Sequence, residues 1–405
     1  MKKRKISLFL FIDAFGWEVK QRHPEFLRGL IQDSKPLETI LGYSSACDPS
    51  IISGLTPAEH KLWSSYYYDP AGSPFKWTKP LSMLPDFIFR RGRVRNQLSK
   101  WIKKQCGFTG YYQLYAVPFK ELPLFNYAEQ KRIWEAAGLP QGKTIFDRMI
   151  ENGIPYYVHN SDIGDEARIA NLKAHIEQQT IDFAYCSFGK LDGLMHAKGN
   201  NHPDIGNLMQ WYDRKFRELI NAAAANYTEV AWYVFTDHGM HNVTDSYDLI
   251  SDIQALKLKW NIDYAAFYDS TMARFWFKNK TARTQIIQCL EHHSKGRILT
   301  EDELRQSGVF FEDGQYGELI FLMHSGLQIA PSFMGLKPCA GMHGYDPADP
   351  DSFASLSSNK PIPESVTKIQ HIHSIMLKEL SLERRALSKP LQPGLAQTEP
   401  RPPIQ

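Results

Sequence analysis

Very little in these 405 residues points to disulfides, membrane spans or a polyanionic partner. The five cysteines (Cys47, Cys106, Cys186, Cys289, Cys339) are scattered, odd in number and without a Cys-x-x-Cys pair. That excludes a disulfide framework or a zinc knuckle and fits free thiols in a reducing compartment. No stretch approaches the ~20 consecutive apolar residues of a membrane-spanning helix. Lys2-Lys3-Arg4-Lys5 followed by an apolar run from Ile6 to Ile12 imitates a secretion signal. The run is short, however, ends in Asp13 and lacks a small-x-small cleavage site, so it reads as a first buried strand. A cytoplasmic protein is the expectation. A net charge of +3 is too small to mark a nucleic-acid binder, and no nucleic acid is expected as a partner. There is no internal repeat. With 43% hydrophobic and 22% charged residues, disorder cannot dominate. The length fits one large α/β domain with insertions, or two domains.

What is there is organised around Val230-Ala231-Trp232-Tyr233-Val234-Phe235. Six apolar, β-branched or aromatic residues without helical period read as a buried strand of a parallel sheet. Polarity then changes abruptly to Asp237-His238-Gly239, at the strand end where open α/β sheets carry their chemistry. Three other segments end in the same kinds of residue. Phe11-Ile12 is followed by Asp13. Asp192 and His196, in an Asp-x-x-x-His spacing, fall one turn apart on a helix face. His343 sits between Gly341 and Gly344, whose lack of a side chain permits close backbone approach. Singly, each has a plainer reading: a strand-end cap for Asp13, an N-cap for Asp237-His238, a surface or loop histidine for His196 and His343. Together they make three carboxylates and three imidazoles, a composition that suits two adjacent divalent ions of the zinc type, with manganese as the other candidate.

Elsewhere, helices are expected over residues 27–33, 49–55, 167–178, 202–225 and 369–379, and a strand over 181–188 that ends in Gly189-Lys190-Leu191-Asp192. Residues 251–335 mix short strands and helices, as a second lobe would. Aromatics and prolines crowd residues 66–139, read as an inserted cap between core segments 1–65 and 140–385. Within the cap, Arg90, Arg91, Arg93, Arg95, Lys100, Lys103 and Lys104 occur with no acid between them, while Val94, Leu98, Trp101 and Ile102 fall on one helical face. A solvated face is the plain reading. The alternative is peripheral membrane contact through Arg90–Lys104, delivering a lipid-linked phosphate. The Pro-rich stretch 386–405 reads as disordered.

The motifs "FIDAFGW", "SGLTPAEH", "YYDP", "DGLMH", "TDHGM" and "GMHGYDP", in that order over most of residues 5–350, resemble the alkaline phosphatase superfamily, and within it the nucleotide pyrophosphatase/phosphodiesterase branch. The resemblance implies an α/β core with a central, mostly parallel sheet flanked by helices. It implies that Asp192, His196 and His343 bind one ion, and that Asp13, Asp237, His238 and the nucleophile bind the other. In that superfamily the nucleophile lies ten residues before the Gly of a Thr-Gly-Leu-type turn. Counted back from Gly54, this is Ser44; Ser45 is the neighbouring alternative. Cys47-Asp48-Pro49-Ser50 superficially matches a sulfatase signature, but Ile51 replaces its Arg and the spacing to Gly54 is short, so that reading is rejected. A phosphate-binding Asn of the diesterases is replaced by Ser65, whose hydroxyl can still donate one hydrogen bond. Lys190 or Lys61 is the expected cationic neighbour. The implied function is metal-dependent phosphodiester hydrolysis through a phosphoseryl intermediate, on a small-molecule, lipid- or glycan-linked phosphate ester. A phosphoryl transferase, a phosphomonoesterase and a weakly catalytic membrane- or glycan-binding scaffold are the alternatives.

Overall fold

The computed structural model describes residues 2–83, 92–159 and 162–382. Arg90, Arg91 and the Pro-rich stretch 386–405 lie outside them. The central sheet has six strands in the order Asp33–Leu37, Ala354–Ser358, Tyr227–Phe235, Lys3–Ile12, Phe183–Phe188 and Tyr156–Val158. The last four are mutually parallel, and Ala354–Ser358 runs antiparallel to both of its neighbours.

The alternation of side chains along Lys3–Ile12 makes the layers. Phe9 and Phe11 point to one face, where Phe9 stacks on Tyr233 and Phe183 at 4.7 and 5.0 Å and Phe11 on Phe235 at 5.5 Å. Ile6, Leu8, Leu10 and Ile12 point to the other face. There they pack with Trp232 and Val234 against the helices Asp165–Glu177 and Asp204–Asn226. Both faces are covered, which is why these strands read as unbroken apolar runs.

A second, antiparallel sheet is ordered Tyr264–Tyr268, Met272–Phe277, Leu319–Met323, Gly296–Ile298. Within residues 66–139, Tyr66–Tyr68 pairs with Phe125–Tyr127 in a two-stranded antiparallel ladder. It shares one apolar cluster with the second sheet, Tyr66 stacking on Phe267 and Tyr68 on Trp276, each at 5.2 Å. The Arg274 guanidinium is fully buried in this junction, 2.8 Å from Asp269 and bonded to Ser64 Oγ and the Tyr66 carbonyl.

Two expectations are corrected. Residues 27–33 are not helical. Leu27 has a positive φ of 49° and its N–H donates to Asp213, and the chain turns into the edge strand Asp33–Leu37, where Pro36 is tolerated. The helix expected from Pro49 begins at Ser44 and ends at Ser53, with Pro49 inside it and Gly54 as its left-handed cap. Among the described residues no helix is long and apolar enough to cross a membrane. The five cysteines are unpaired.

Candidate active site

Strand register brings the first pieces together. Phe11 pairs with Phe235 and Ile12 with Phe188, so Asp13, the Thr236–His238 turn and the helix Lys190–Lys198 all leave the same edge of the sheet. The Asp13 N–H donates to the Phe188 carbonyl at 3.0 Å, and Thr39 Oγ1 donates to the Asp237 carbonyl at 2.6 Å. Glycine makes the crowding possible. A Cβ on Gly16 would lie 2.4 Å from Gly239 Cα, and one on Gly239 would lie 2.0 Å from the Asp351 carbonyl oxygen.

Two imidazoles are aimed by backbone carbonyls. His196 Nδ1 donates to Gly341 O and His238 Nδ1 to Gly239 O, each at 2.8 Å. A carbonyl can only accept, so both rings keep a proton on Nδ1 and turn Nε2 inward. His196 Nε2 is 3.2 Å from Asp192 Oδ1. His238 Nε2 is 3.1 Å from Asp237 Oδ2, 3.7 Å from Asp13 Oδ1 and 3.0 Å from Ser44 Oγ. His343 Nε2 lies 4.0 Å from Asp192 Oδ1. A nitrogen lone pair facing a carboxylate oxygen is unfavourable unless a proton or a cation lies between them.

The rest of the electrostatics says the same. Asp13 Oδ1, Asp192 Oδ1, Asp237 Oδ2 and His343 Nδ1 are buried without a hydrogen-bond partner. Burial, then the charges of Asp192, Asp237 and Asp48, push the Asp13 carboxyl well above the ordinary range. Burial would lower His196, but hydrogen bonds to Asp192 and Cys339 outweigh it and raise the ring to about 10. His343 goes the other way, held far down by burial and by His238, His196 and His241. Ligand atoms of Asp192, His196 and His343 converge within 4.8 Å of one another, as do those of Asp13, Asp192 and His238. Asp192 belongs to both groups. The donor set fits divalent cations: mixed N and O ligands, excess negative charge and orphaned buried oxygens.

All seven residues expected at the metals are thus gathered at one end of the sheet. Ser45 is not: its hydroxyl donates to the Trp63 carbonyl at 3.1 Å. Cys47 is fully buried beside Thr39, with its thiol pushed up by burial. Lys190 is engaged elsewhere, 3.4 Å from Glu166 and over the Trp211 ring. Lys61 lines a separate cavity of about 640 Å³ with Thr56 and Arg305. Ser65 directly precedes the Tyr66–Tyr68 ladder, its carbonyl accepting from the Ala128 N–H at 2.9 Å.

Sequence reasoning missed Asp48, Glu129 and Tyr111. Asp48 lies one turn beyond Ser44 on the same helix, its Oδ1 buried and unpartnered and its carboxyl raised by burial, then by Asp237 and Glu129. Glu129 is raised to about 7 by burial, although the Tyr111 N–H donates to it at 3.0 Å. The Tyr111 phenol is raised, first by burial and then by the charges of Glu129 and Asp192. A helix start at Ser44 would have revealed Asp48 by its four-residue spacing. The two cap residues left no local signal.

The mixed α/β fold, with acids and imidazoles gathered at one end of its central sheet, is that of the alkaline phosphatase superfamily. The chain belongs to the type I phosphodiesterase/nucleotide pyrophosphatase family, whose model matches residues 8–346. Among solved structures it is similar to murine ectonucleotide pyrophosphatase/phosphodiesterase 5, with a TM-score of 0.65 and 14% identity over 94% of this chain and 95% of that one. It is also similar to the human protein of that name, with a TM-score of 0.66 and 13% identity over 93% and 95% of the two chains. An inactive variant of the murine protein in complex with AMP gives 0.64 and 14% over 94% and 96%. Against curated proteins the sequence finds no match. The family supports phosphodiester hydrolysis as the reaction class.

Proposed function

We propose that this chain is a two-metal phosphodiesterase acting through Ser44. The observation that carries the reading is Ser44 Oγ, 3.0 Å from His238 Nε2 among buried acid oxygens with no hydrogen-bond partner. Asp192, His196 and His343 would hold one divalent ion; Asp13, Asp237, His238 and Ser44 would hold the other, with zinc the first candidate and manganese the second. When bound, the ions lower the proton affinity of the serine hydroxyl and offset charge on the transferring phosphoryl group.

The protein supplies position. Ser44 opens a ten-residue helix, so the positive end of that helix faces the incoming anion. The Ser44 Oγ–P bond forms as the P–O bond to the leaving group breaks, and the hydroxyl proton departs with the released alcohol. Water then cleaves Oγ–P and regenerates the hydroxyl. Gly341 and Gly239 carbonyls keep the two imidazoles aimed throughout. Among the described residues the ligand cluster gathers acids and imidazoles, while Lys61 and Lys190 are occupied elsewhere. A monoester carries one more negative charge than a diester and gains most from a cationic clamp, so the arrangement favours the diester. A nucleotide is one candidate substrate, supported by the AMP complex of the murine relative.

The test is turnover of bis-p-nitrophenyl phosphate against p-nitrophenyl phosphate, with mass spectrometry of acid-quenched protein. The expected result is faster diester cleavage and a phosphate on the Ser44 peptide. Faster monoester cleavage, or a phosphate-free Ser44 under turnover, rejects the reading.

A further inference from the structure

The cap carries an exposed surface that the reaction does not use. Among the described residues its exposed large hydrophobic side chains include Trp77, Met83 and Trp101. Trp77 and Trp101, 39% and 44% exposed, meet edge to face at 4.9 Å and join the 3-10 helix Lys76–Met83 to the helix Gly92–Cys106. Met83 is 86% exposed. The same two helices contain no Asp or Glu, and they expose Lys79, Arg93, Lys100 and Lys104. None of these four cations is ion-paired with a described residue.

The helix does not offer the face that its sequence suggests. Ile102 is fully buried, and Val94 and Leu98 pack inward on the cap cluster. Of the four apolar residues on that face, only Trp101 looks outward. A helix lying flat in the bilayer with its apolar stripe down is therefore excluded, because that stripe already serves the cap's own core.

We infer that this surface docks on an anionic lipid membrane, with Trp77, Trp101 and Met83 as interfacial anchors and the four cations against the headgroups. Indole rings are amphipathic and favour the headgroup level, and lysine and arginine beside them find the charge that complements their own. Single-stranded nucleic acid is held by rings set to stack on successive bases, whereas these two indoles stand at 88° to one another. The inference concerns binding and stands independently of how Ser44 reacts.

The experiment is sedimentation of the full chain with vesicles of phosphatidylcholine alone, or with about one third phosphatidylserine. The wild-type protein is expected to sediment with the anionic vesicles and to be released by 0.5 M salt. Reversing three cations (Lys79→Glu, Arg93→Glu, Lys100→Glu) weakens binding by on the order of a hundredfold, each cation near the surface being worth about fivefold. Trp77→Ala with Trp101→Ala also weakens binding. Both sets keep turnover of a soluble aryl diester, which shows that they are folded. If either set fails to fold, quenching of wild-type fluorescence by brominated lipid decides, and lipid-dependent quenching is expected. Wild-type protein that ignores anionic vesicles, unchanged binding in a folded charge-reversal variant, or tighter binding to poly(U) than to the vesicles overturns the inference.

Discussion

The imidazoles of His238 and His343 stack face to face, with centroids 3.6 Å apart and planes 12° from parallel. Two imidazolium charges this close repel, so the rings do not both take the second proton. Burial and the neighbouring histidines hold His343 far below the ordinary range, so it stays neutral and able to ligate, while His238 is poised toward Ser44. His343→Ala is therefore expected to lower aryl phosphodiester turnover at least about a hundredfold, since even outer-shell partners of a metal are worth about 10- to 100-fold. Partial recovery with added imidazole would show that the missing group is the ring itself.

Ser44 and Ser45 adjoin in sequence but point to different partners. Ser44→Ala is expected to cut turnover by about three orders of magnitude or more. Ser45→Ala loses one hydrogen bond to the Trp63 carbonyl, worth about 1 kcal/mol, and keeps the nucleophile. Steady-state kinetics and thermal melts on the two variants separate the roles.

Arg274 and Asp269 form a buried pair at 2.8 Å, with the guanidinium among the rings of Trp63, Phe267, Trp276 and Tyr316. Removing one partner leaves an uncompensated buried charge. Arg274→Ala is expected to destabilise the fold by about 3–5 kcal/mol. Replacing both residues with apolar ones of similar volume should cost much less. Denaturant unfolding of the single and double variants checks this.

Two buried histidines set an acid limit on stability. Burial lowers His60 to about 3, with the Leu62 N–H donating to its Nδ1 at 3.1 Å and its Nε2 2.9 Å from Ser50 Oγ. Burial, then Arg168, lowers His159 to about 3. Above pH ~6.5 both rings are neutral folded or unfolded, and nothing is lost. Below it, the unfolded chain binds protons that the folded one refuses. Each histidine then costs about 1.4 kcal/mol per pH unit until pH nears 3. Between pH ~6.5 and ~5 the contribution of the pair to the unfolding free energy should fall with the sum of the two slopes, and His60→Gln should halve it.

Much of this was legible in the sequence, because the ligands are chemically distinctive residues placed where buried strands stop. Phe11-Ile12-Asp13 and Phe235-Thr236-Asp237-His238 announce a strand end by an abrupt change of polarity. Asp192 and His196 announce a helix face by spacing. Asp48 stayed hidden because Pro49 suggested a helix start where the chain is already helical. Glu129 comes near Asp48 only through the tertiary packing of residues 66–139, and Lys190 has the right charge at the right strand end but turns toward Glu166 and Trp211. The basic helix showed its charge plainly, yet which apolar residues face inward depended on the second sheet beneath it.

The most direct test of the central claim is metal content by elemental analysis of freshly purified wild-type protein and of Asp192→Asn, the residue shared by both ligand groups. About two divalent ions per chain are expected in the wild type, with both the ions and aryl diester turnover lost in the variant. Full turnover by wild-type protein carrying only trace metal, or an undiminished metal complement in Asp192→Asn, would contradict the account.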